Sequence, residues 1–168
     1  MFYPSSSIAG VNKNEKIKIK FELGINPPGL AAYQKKYRLK PIPYSVLLYD
    51  DASLFSGKIH AVLCRGWHKR IKGRDLYDYV FYLTRGTKMN LPHLREKLID
   101  SGRLQSDEEL TVEDVKQLLN NRFEEIDYES AKSDVLPFIN DPATLDIWSA
   151  EFFSSITESL KAQDNQTK

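Results

Sequence analysis

Apolar and polar residues alternate without interruption between residues 16 and 25. One side of the alternation is apolar and the other is charged, with Ile17, Ile19, Phe21, Leu23 and Ile25 opposed to Lys16, Lys18, Lys20 and Glu22. Because successive side chains of a strand point to opposite faces, this pattern predicts a strand with one buried face. Pro27 and Pro28 end this strand, since proline cannot donate a hydrogen bond to a strand ladder.

A second, shorter strand is predicted over residues 44–49, and the strongly basic segment 33–40 ahead of it is expected to be a linker. Beyond this strand the apolar spacing becomes helical, as Phe55, Ile59 and Val62 show. Helices are predicted over residues 51–65, 74–85, 91–101, 111–127 and 143–161, with a further helical turn over 130–139.

These elements predict an α+β (or α/β) protein with a small sheet on the N-terminal side and a helical C-terminal half. We divide the chain into an α/β region (residues 1–90), a helical region (91–162) and a disordered tail (163–168). The 168 residues are 41% hydrophobic and 28% charged, which is typical of a folded globular protein. No apolar run is long enough to cross a membrane, the N-terminus lacks a secretory signal, and a single cysteine excludes an internal disulfide framework. We therefore expect a cytoplasmic protein.

Charge is distributed unevenly between the two halves of the chain. Residues 1–74 hold 14 lysines and arginines against four acids, whereas residues 75–168 hold 10 against 19. A half with a net charge of +10 could receive phosphate groups. It could equally be neutralised by the acidic half in the fold, and charge alone leaves both interpretations open.

Two side chains on the predicted elements are candidates for phosphate or metal chemistry. Glu22 lies on the charged side of the first strand, where a rigidly held carboxylate could bind Mg²⁺, although a glutamate that only faces solvent is the simpler interpretation. Lys58 borders the apolar stripe of the first helix, so its ammonium could reach a triphosphate in a cleft. A lysine that merely covers the core would show the same pattern.

The segment from Arg70 to Asp78 combines clustered cations, a glycine and the start of a helix. Arg70, Lys72 and Arg74 lie where the N–H groups of a helix N-terminus would face an anion. Asp75 and Asp78 are three residues apart and share one helix face, and Asp75 could accept a proton or orient a hydroxyl. Alternatively, the two carboxylates only cap the helix and favour its dipole.

Three segments occur in a fixed order along the chain: Lys18–Leu23 with Asn26–Pro28, Asp51–Leu63 with its lysine, and Lys72–Tyr79 with its basic residue followed by Asp-x-x-Asp. Together they resemble the AbiEii/AbiGii-type nucleotidyltransferases, over about residues 16–95. The resemblance implies a partial DNA polymerase β-like nucleotidyltransferase sheet. It also implies a toxin of a bacterial toxin–antitoxin or abortive-infection system.

The resemblance further implies that a nucleotide is transferred from an NTP, with Mg²⁺, to an acceptor such as tRNA, and that a cognate antitoxin is a partner. Carried over by position, Lys58 would hold the triphosphate, Asp75 would be catalytic, and Glu22 would support catalysis and the metal. The remaining family positions would be phosphate-binding or supporting residues, namely Arg70, Lys72 and Arg74 for phosphate and Asp78 for support.

The sequence departs from the family pattern at one motif. The family's site begins with a Gly-Ser or Gly-Thr turn and an Asp-x-Asp metal pair ahead of the matched strand, and neither occurs ahead of that strand in this sequence. We therefore expect the chain to be the C-terminal part of a longer enzyme, a gene remnant or one partner of a split site, and its activity in isolation is an open question. Two other functions stay open, a non-catalytic nucleic-acid-binding module and a remnant that binds an antitoxin.

Overall fold

The computed structural model describes residues 24–66 and 72–164. Its elements in chain order are β1 (Tyr33–Arg38), β2 (Tyr44–Tyr49), α1 (Asp51–Cys64), α2 (Gly73–Thr84), α3 (Leu91–Asp100), α4 (Val112–Glu124), α5 (Tyr128–Val135) and α6 (Ala150–Thr157), with short 3₁₀ turns at Leu136–Phe138 and Pro142–Leu145. The predicted α+β class is confirmed. Residues 16–23 of the first predicted strand, including Glu22, and also Arg70 lie outside the described residues.

The two strands form an antiparallel hairpin in which Tyr33 lies opposite Tyr49 and Arg38 lies opposite Tyr44. The expectation of a linker over residues 33–40 is therefore wrong, because β1 occupies most of that segment. Its sequence, rich in lysine and tyrosine, has no alternation of apolar and polar residues, and it becomes a strand by pairing with the more apolar β2.

Helix α1 is the element around which the helical part is built, since it contacts α2, α3 and α4 as well as β2. Its apolar stripe is confirmed, with Phe55, Ile59 and Val62 completely buried. They belong to one hydrophobic cluster that also includes Tyr79 of α2 and Phe153 of α6. Helices on both sides of residue 90 contribute to this cluster, and the predicted division of the chain at that residue stays a prediction.

The helix boundaries follow from their capping residues. Asp50 caps α1 by accepting a hydrogen bond of 2.8 Å from the backbone N–H of Ser53. The Thr111–Asp114 pair forms a reciprocal capping box at the start of α4, as its spacing predicts.

The last helix is shorter than predicted, because residues 143–161 contain a 3₁₀ turn and then a new start at Ser149, whose side chain caps α6. None of the helices in the described ranges is long and apolar enough to cross a bilayer.

Candidate functional site

A cleft of 220 Å³ lies where α1, α2 and α3 meet the segment that precedes β1. Its lining includes three cations, one carboxylate and one imidazole, contributed by Lys58, Arg65, Lys97, Asp75 and His93. The lining comes from three successive helices and from Pro28 and Tyr49 ahead of them, so the site depends on the tertiary packing around α1. Such a concentration of cations around a partly closed cleft favours a negatively charged ligand.

Asp75 is the buried acid of this cleft. It lies in the first turn of α2, and only 6% of its side chain is exposed. Its Oδ2 atom is 2.5 Å from Nη1 of Arg65, the residue that caps the C-terminus of α1. The guanidinium thus compensates the buried negative charge through a short charge-assisted hydrogen bond. Oδ1 of Asp75 accepts no hydrogen bond from residues 24–66 and 72–164.

Lys58 and Asp78 form a second link between α1 and α2. Lys58 Nζ lies 2.6 Å from Asp78 Oδ2, and each side chain keeps more than a third of its surface exposed. Because Asp75 and Asp78 are three residues apart, the two links lie side by side along α2. Lys58 is held in the cleft by a partner that water or another anion can replace, since exposed ion pairs contribute little stability.

Arg74 does not accompany Asp75 into the cleft. Its Nε lies 3.5 Å from Oδ2 of Asp134 on α5, and its guanidinium carbon lies 5.4 Å from the ring centre of Phe138. Successive helical residues are rotated by about 100°, so neighbours in sequence face different partners. Lys72 is exposed immediately before α2 and is not among the residues that line the cleft. The structure therefore brings Lys58, Asp75 and Asp78 together and places Arg74 elsewhere.

The segment before β1 is fixed to the helices by polar side chains. Asn90 donates from Nδ2 to the carbonyl of Leu30 at 2.9 Å and to Ser53 Oγ at 3.1 Å. Ser53 Oγ in turn accepts from the backbone N–H of Ala32 at 2.9 Å. Leu30 has a φ of 60°, a left-handed conformation that is strained for a residue with a side chain and must be held by its surroundings. These bonds fix the wall of the cleft that includes Pro28.

A family model described as "Nucleotidyl transferase AbiEii toxin, Type IV TA system" matches residues 1–153. The chain belongs to the AbiEii family. This confirms the resemblance that the three sequence segments indicate. The family is one of nucleotidyltransferase toxins from type IV toxin–antitoxin systems, which implies a nucleotide substrate and an antitoxin partner. Comparison with curated proteins and comparison with solved structures each give no match.

Two cations that line the cleft of this AbiEii protein, Arg65 and Lys97, were not predicted from the sequence. Arg65 follows Lys58 by seven residues, or two helical turns, which places both on one face of α1. Lys97 follows His93 by four residues on α3 and shares its face in the same way. These spacings are visible in the sequence, but many pairs of residues share them. Only the packing of α1 against α2 and α3 shows that they line the same cleft.

AbiEii nucleotidyltransferases are expected to use a divalent metal ion, which needs several oxygen or nitrogen ligands in one place. Within the described ranges no three histidine, cysteine, aspartate or glutamate residues lie close enough to hold a metal ion. Asp75 and Asp78 are each paired with a cation, which offsets the negative charge that Mg²⁺ needs. The described carboxylates alone therefore do not fit a Mg²⁺ site, and Glu22 lies outside them.

Proposed function

We propose that the cleft binds the triphosphate of an NTP and that this AbiEii protein transfers a nucleotide to an RNA acceptor such as tRNA. It would act as the toxin of a toxin–antitoxin or abortive-infection system, with this chain supplying the nucleotide-binding part of the active site. The observation that carries the proposal is the convergence of Lys58, Arg65 and Lys97 on a cleft that also contains the buried Asp75.

The cations provide the chemistry for holding a triphosphate. Lys58 offers a point charge on a flexible stem, and Arg65 offers a planar donor group that matches phosphate oxygens. When a triphosphate enters, Lys58 exchanges its bond to Asp78 for bonds to phosphate, which costs little because the pair is partly exposed. Arg65 can contact phosphate with its remaining N–H groups while Nη1 stays on Asp75.

Asp75 is the residue we assign to catalysis. Its Oδ2 is held by Arg65, and its Oδ1 is free of partners within the described part of the chain. An oriented carboxylate oxygen can accept a hydrogen bond from the acceptor hydroxyl and aim it at the α-phosphate. Arg65 is a positioning residue in this scheme, because it fixes the rotamer of Asp75 as well as contacting phosphate.

The β1–β2 hairpin supports RNA as the class of acceptor. Its cations are exposed and no acidic residue lies among them, since Lys35, Lys36, Arg38 and Lys40 follow one another without an intervening acid. Tyr33, Tyr37 and Tyr44 each expose more than half of their surface beside these cations. Cations track a phosphate backbone and aromatic rings stack on unpaired bases, which is the combination that single-stranded RNA ends require.

Mg²⁺ is part of the proposal, as the ion that accompanies the NTP, with Glu22 as its candidate ligand. Family membership supports this assignment. Lys72, Arg74 and Arg70 remain candidates for secondary phosphate contacts outside the described cleft lining. The substrates also point to the cytoplasm as the place of action, because NTPs and tRNA are found there.

Transfer of label from NTP to RNA tests this function. The chain is incubated with each α-labelled NTP, Mg²⁺ and total tRNA, and Lys58→Ala and Asp75→Ala are compared with wild type. Lys88→Ala is the matched control, because Lys88 is an exposed lysine outside the cleft lining and forms an ion pair with the exposed Asp164.

We expect wild type and Lys88→Ala to label RNA and both cleft variants to lose the label. If wild type neither labels RNA nor binds any NTP, the proposal is wrong. Salt-sensitive RNA binding that is indifferent to Mg²⁺ and to Asp75→Ala, without transfer, would instead identify a nucleic-acid-binding module.

A further inference from the structure

His93 is held in the cleft by two hydrogen bonds, one from its backbone N–H and one from its side chain. Only 3% of the residue is exposed, and its backbone N–H donates to Asn90 Oδ1 at 3.0 Å. Its Nδ1 atom lies 2.7 Å from the carbonyl oxygen of Gly29. A carbonyl oxygen can only accept, so Nδ1 carries the hydrogen of this bond. In the neutral imidazole the other nitrogen, Nε2, is then a bare acceptor.

Nε2 has no protein partner in the part of the chain that the structure describes, although His93 lines the cleft. The ring is further fixed by Tyr49, whose ring centre lies 6.0 Å away. An acceptor on the wall of a cleft takes its hydrogen bond from water or from a ligand. The tautomer and the orientation of the ring thus present one unused acceptor to the same cleft that Lys58 and Arg65 line.

We propose that Nε2 of His93 accepts a hydrogen bond from a ribose hydroxyl of the bound nucleotide and so favours nucleotides whose sugar carries its hydroxyl groups. This inference rests on the proposed NTP binding. A bare Nε2 cannot bond a phosphate oxygen, because both groups accept, whereas a sugar hydroxyl can donate. The cleft volume of 220 Å³ is below the roughly 300 Å³ at which sites for whole small molecules begin, so we expect the cleft to hold part of the nucleotide and leave the rest outside it.

Two substitutions distinguish the roles of the two ring nitrogens of His93. The amide of asparagine reaches the position of Nδ1, so His93→Asn can still donate to the carbonyl of Gly29 but lacks the acceptor at Nε2. The longer amide of glutamine reaches the position of Nε2, so His93→Gln retains the acceptor but loses the bond to Gly29. His93→Asn therefore tests the contact of Nε2 with the ligand, and His93→Gln tests the bond of Nδ1 to Gly29.

The experiment first compares the Kd of ATP, GTP, CTP and UTP for wild type by calorimetry. It then compares the NTP that binds most tightly with its 2′,3′-dideoxy analogue for the full chain and both variants, with a thermal unfolding curve for each. We expect wild type to bind this NTP about tenfold more tightly than the dideoxy analogue, as one hydrogen bond allows. His93→Asn should bind the two within about twofold of each other and unfold near the wild-type temperature. His93→Gln should keep the preference and unfold at a lower temperature.

Failure of this inference is distinguishable from failure of the proposed function. If wild type binds both nucleotides equally, or if His93→Asn keeps the full preference, NTP binding stands and the role of His93 is wrong. If wild type binds none of the four NTPs, both the proposed function and the inference are wrong.

Discussion

Arg65 and Asp75 face each other across the junction of α1 and α2 with Nη1 and Oδ2 at 2.5 Å, and their burial is very unequal. Only 6% of the aspartate side chain is exposed, against 47% of the arginine. If the pair breaks, the guanidinium can be hydrated in place, but the carboxylate stays in a poorly solvated position. The pair therefore serves chiefly to keep a negative charge at Asp75 tolerable next to the cleft.

Removing Arg65 alone should therefore destabilise the fold more than removing both charges. We expect Arg65→Met to lower the free energy of unfolding by about 1–3 kcal/mol, less than for a fully buried pair because the arginine is half exposed. Arg65→Met combined with Asp75→Asn should recover part of this loss. Urea unfolding of the two single variants and the double variant measures the coupling. Strictly additive effects would show that the pair does not stabilise the carboxylate.

Gly73 of α2 packs directly against α5. A Cβ atom at this position would lie 1.9 Å from the carbonyl oxygen of Ala131 and 2.8 Å from Cγ2 of Val135. Backbone cannot move aside as a flexible side chain can, so Gly73→Ala should cost about 3 kcal/mol of unfolding free energy. Chemical denaturation of the purified variant measures this cost.

Gly57→Ala is the matched control for this substitution. Gly57 lies in the middle of α1, and a Cβ atom there meets nothing within 4 Å. It should leave stability unchanged or raise it by up to about 1 kcal/mol, because alanine favours the helix. Equal effects of the two substitutions would contradict the close packing of α2 on α5.

Acid should destabilise the protein through His60. Burial, together with the nearby charge of Lys97, lowers the pKa of His60 below its ordinary value of 6.5. The unfolded chain then binds the proton more readily than the folded chain. The stabilisation is present above pH 6.5 and is lost as the pH falls through 6.5 toward the lower folded pKa.

His60→Gln should reduce the loss of melting temperature between about pH 8 and about pH 5. The pKa of Asp114 is also lowered, but the stability that this carboxylate contributes is lost in a different range. The loss begins only when the pH falls below 3.8, the ordinary pKa of the group. An unchanged pH dependence in His60→Gln would show that other groups set the acid sensitivity.

Asn90 joins the strained segment before β1 to α1 and α3, and Asn90→Asp isolates its donor role. An aspartate can still accept from the backbone N–H of His93 but cannot donate to Leu30 or Ser53. We expect a loss of about 2–3 kcal/mol in unfolding free energy. Thermal and urea unfolding measure it, with the exposed Asn140→Asp as a control that should change little. Equal stability of the two variants would mean that the segment is held by other contacts.

The helices that carry the site were predictable because their signals are local. The apolar stripe of α1 and the shared face of Asp75 and Asp78 follow from helical spacing, and Asp50 marks the start of α1. Strand β1 was not predictable in this way. Its residues have no apolar pattern of their own, and their conformation depends on pairing with β2.

The ion-pair partner of Asp75 likewise could not be predicted from the local sequence. The adjacent Arg74 is the obvious candidate in the sequence, yet it contacts Asp134, and Arg65 takes its place from ten residues away. His93 was overlooked for a similar reason, since its role depends on the backbone of Gly29 rather than on any nearby side chain. Contacts between elements are set by packing, which the helical period does not encode.

Binding of inorganic triphosphate is the most direct test of the cleft, because it examines the cations without a base, a sugar or a chemical step. The titration compares wild type, Lys58→Met and the control Lys88→Met at fixed ionic strength and Mg²⁺ concentration. We predict that wild type and Lys88→Met bind equally and that Lys58→Met binds at least about tenfold more weakly. Equal affinity of Lys58→Met and wild type, or equal weakening in both lysine variants, would contradict a triphosphate site in this cleft.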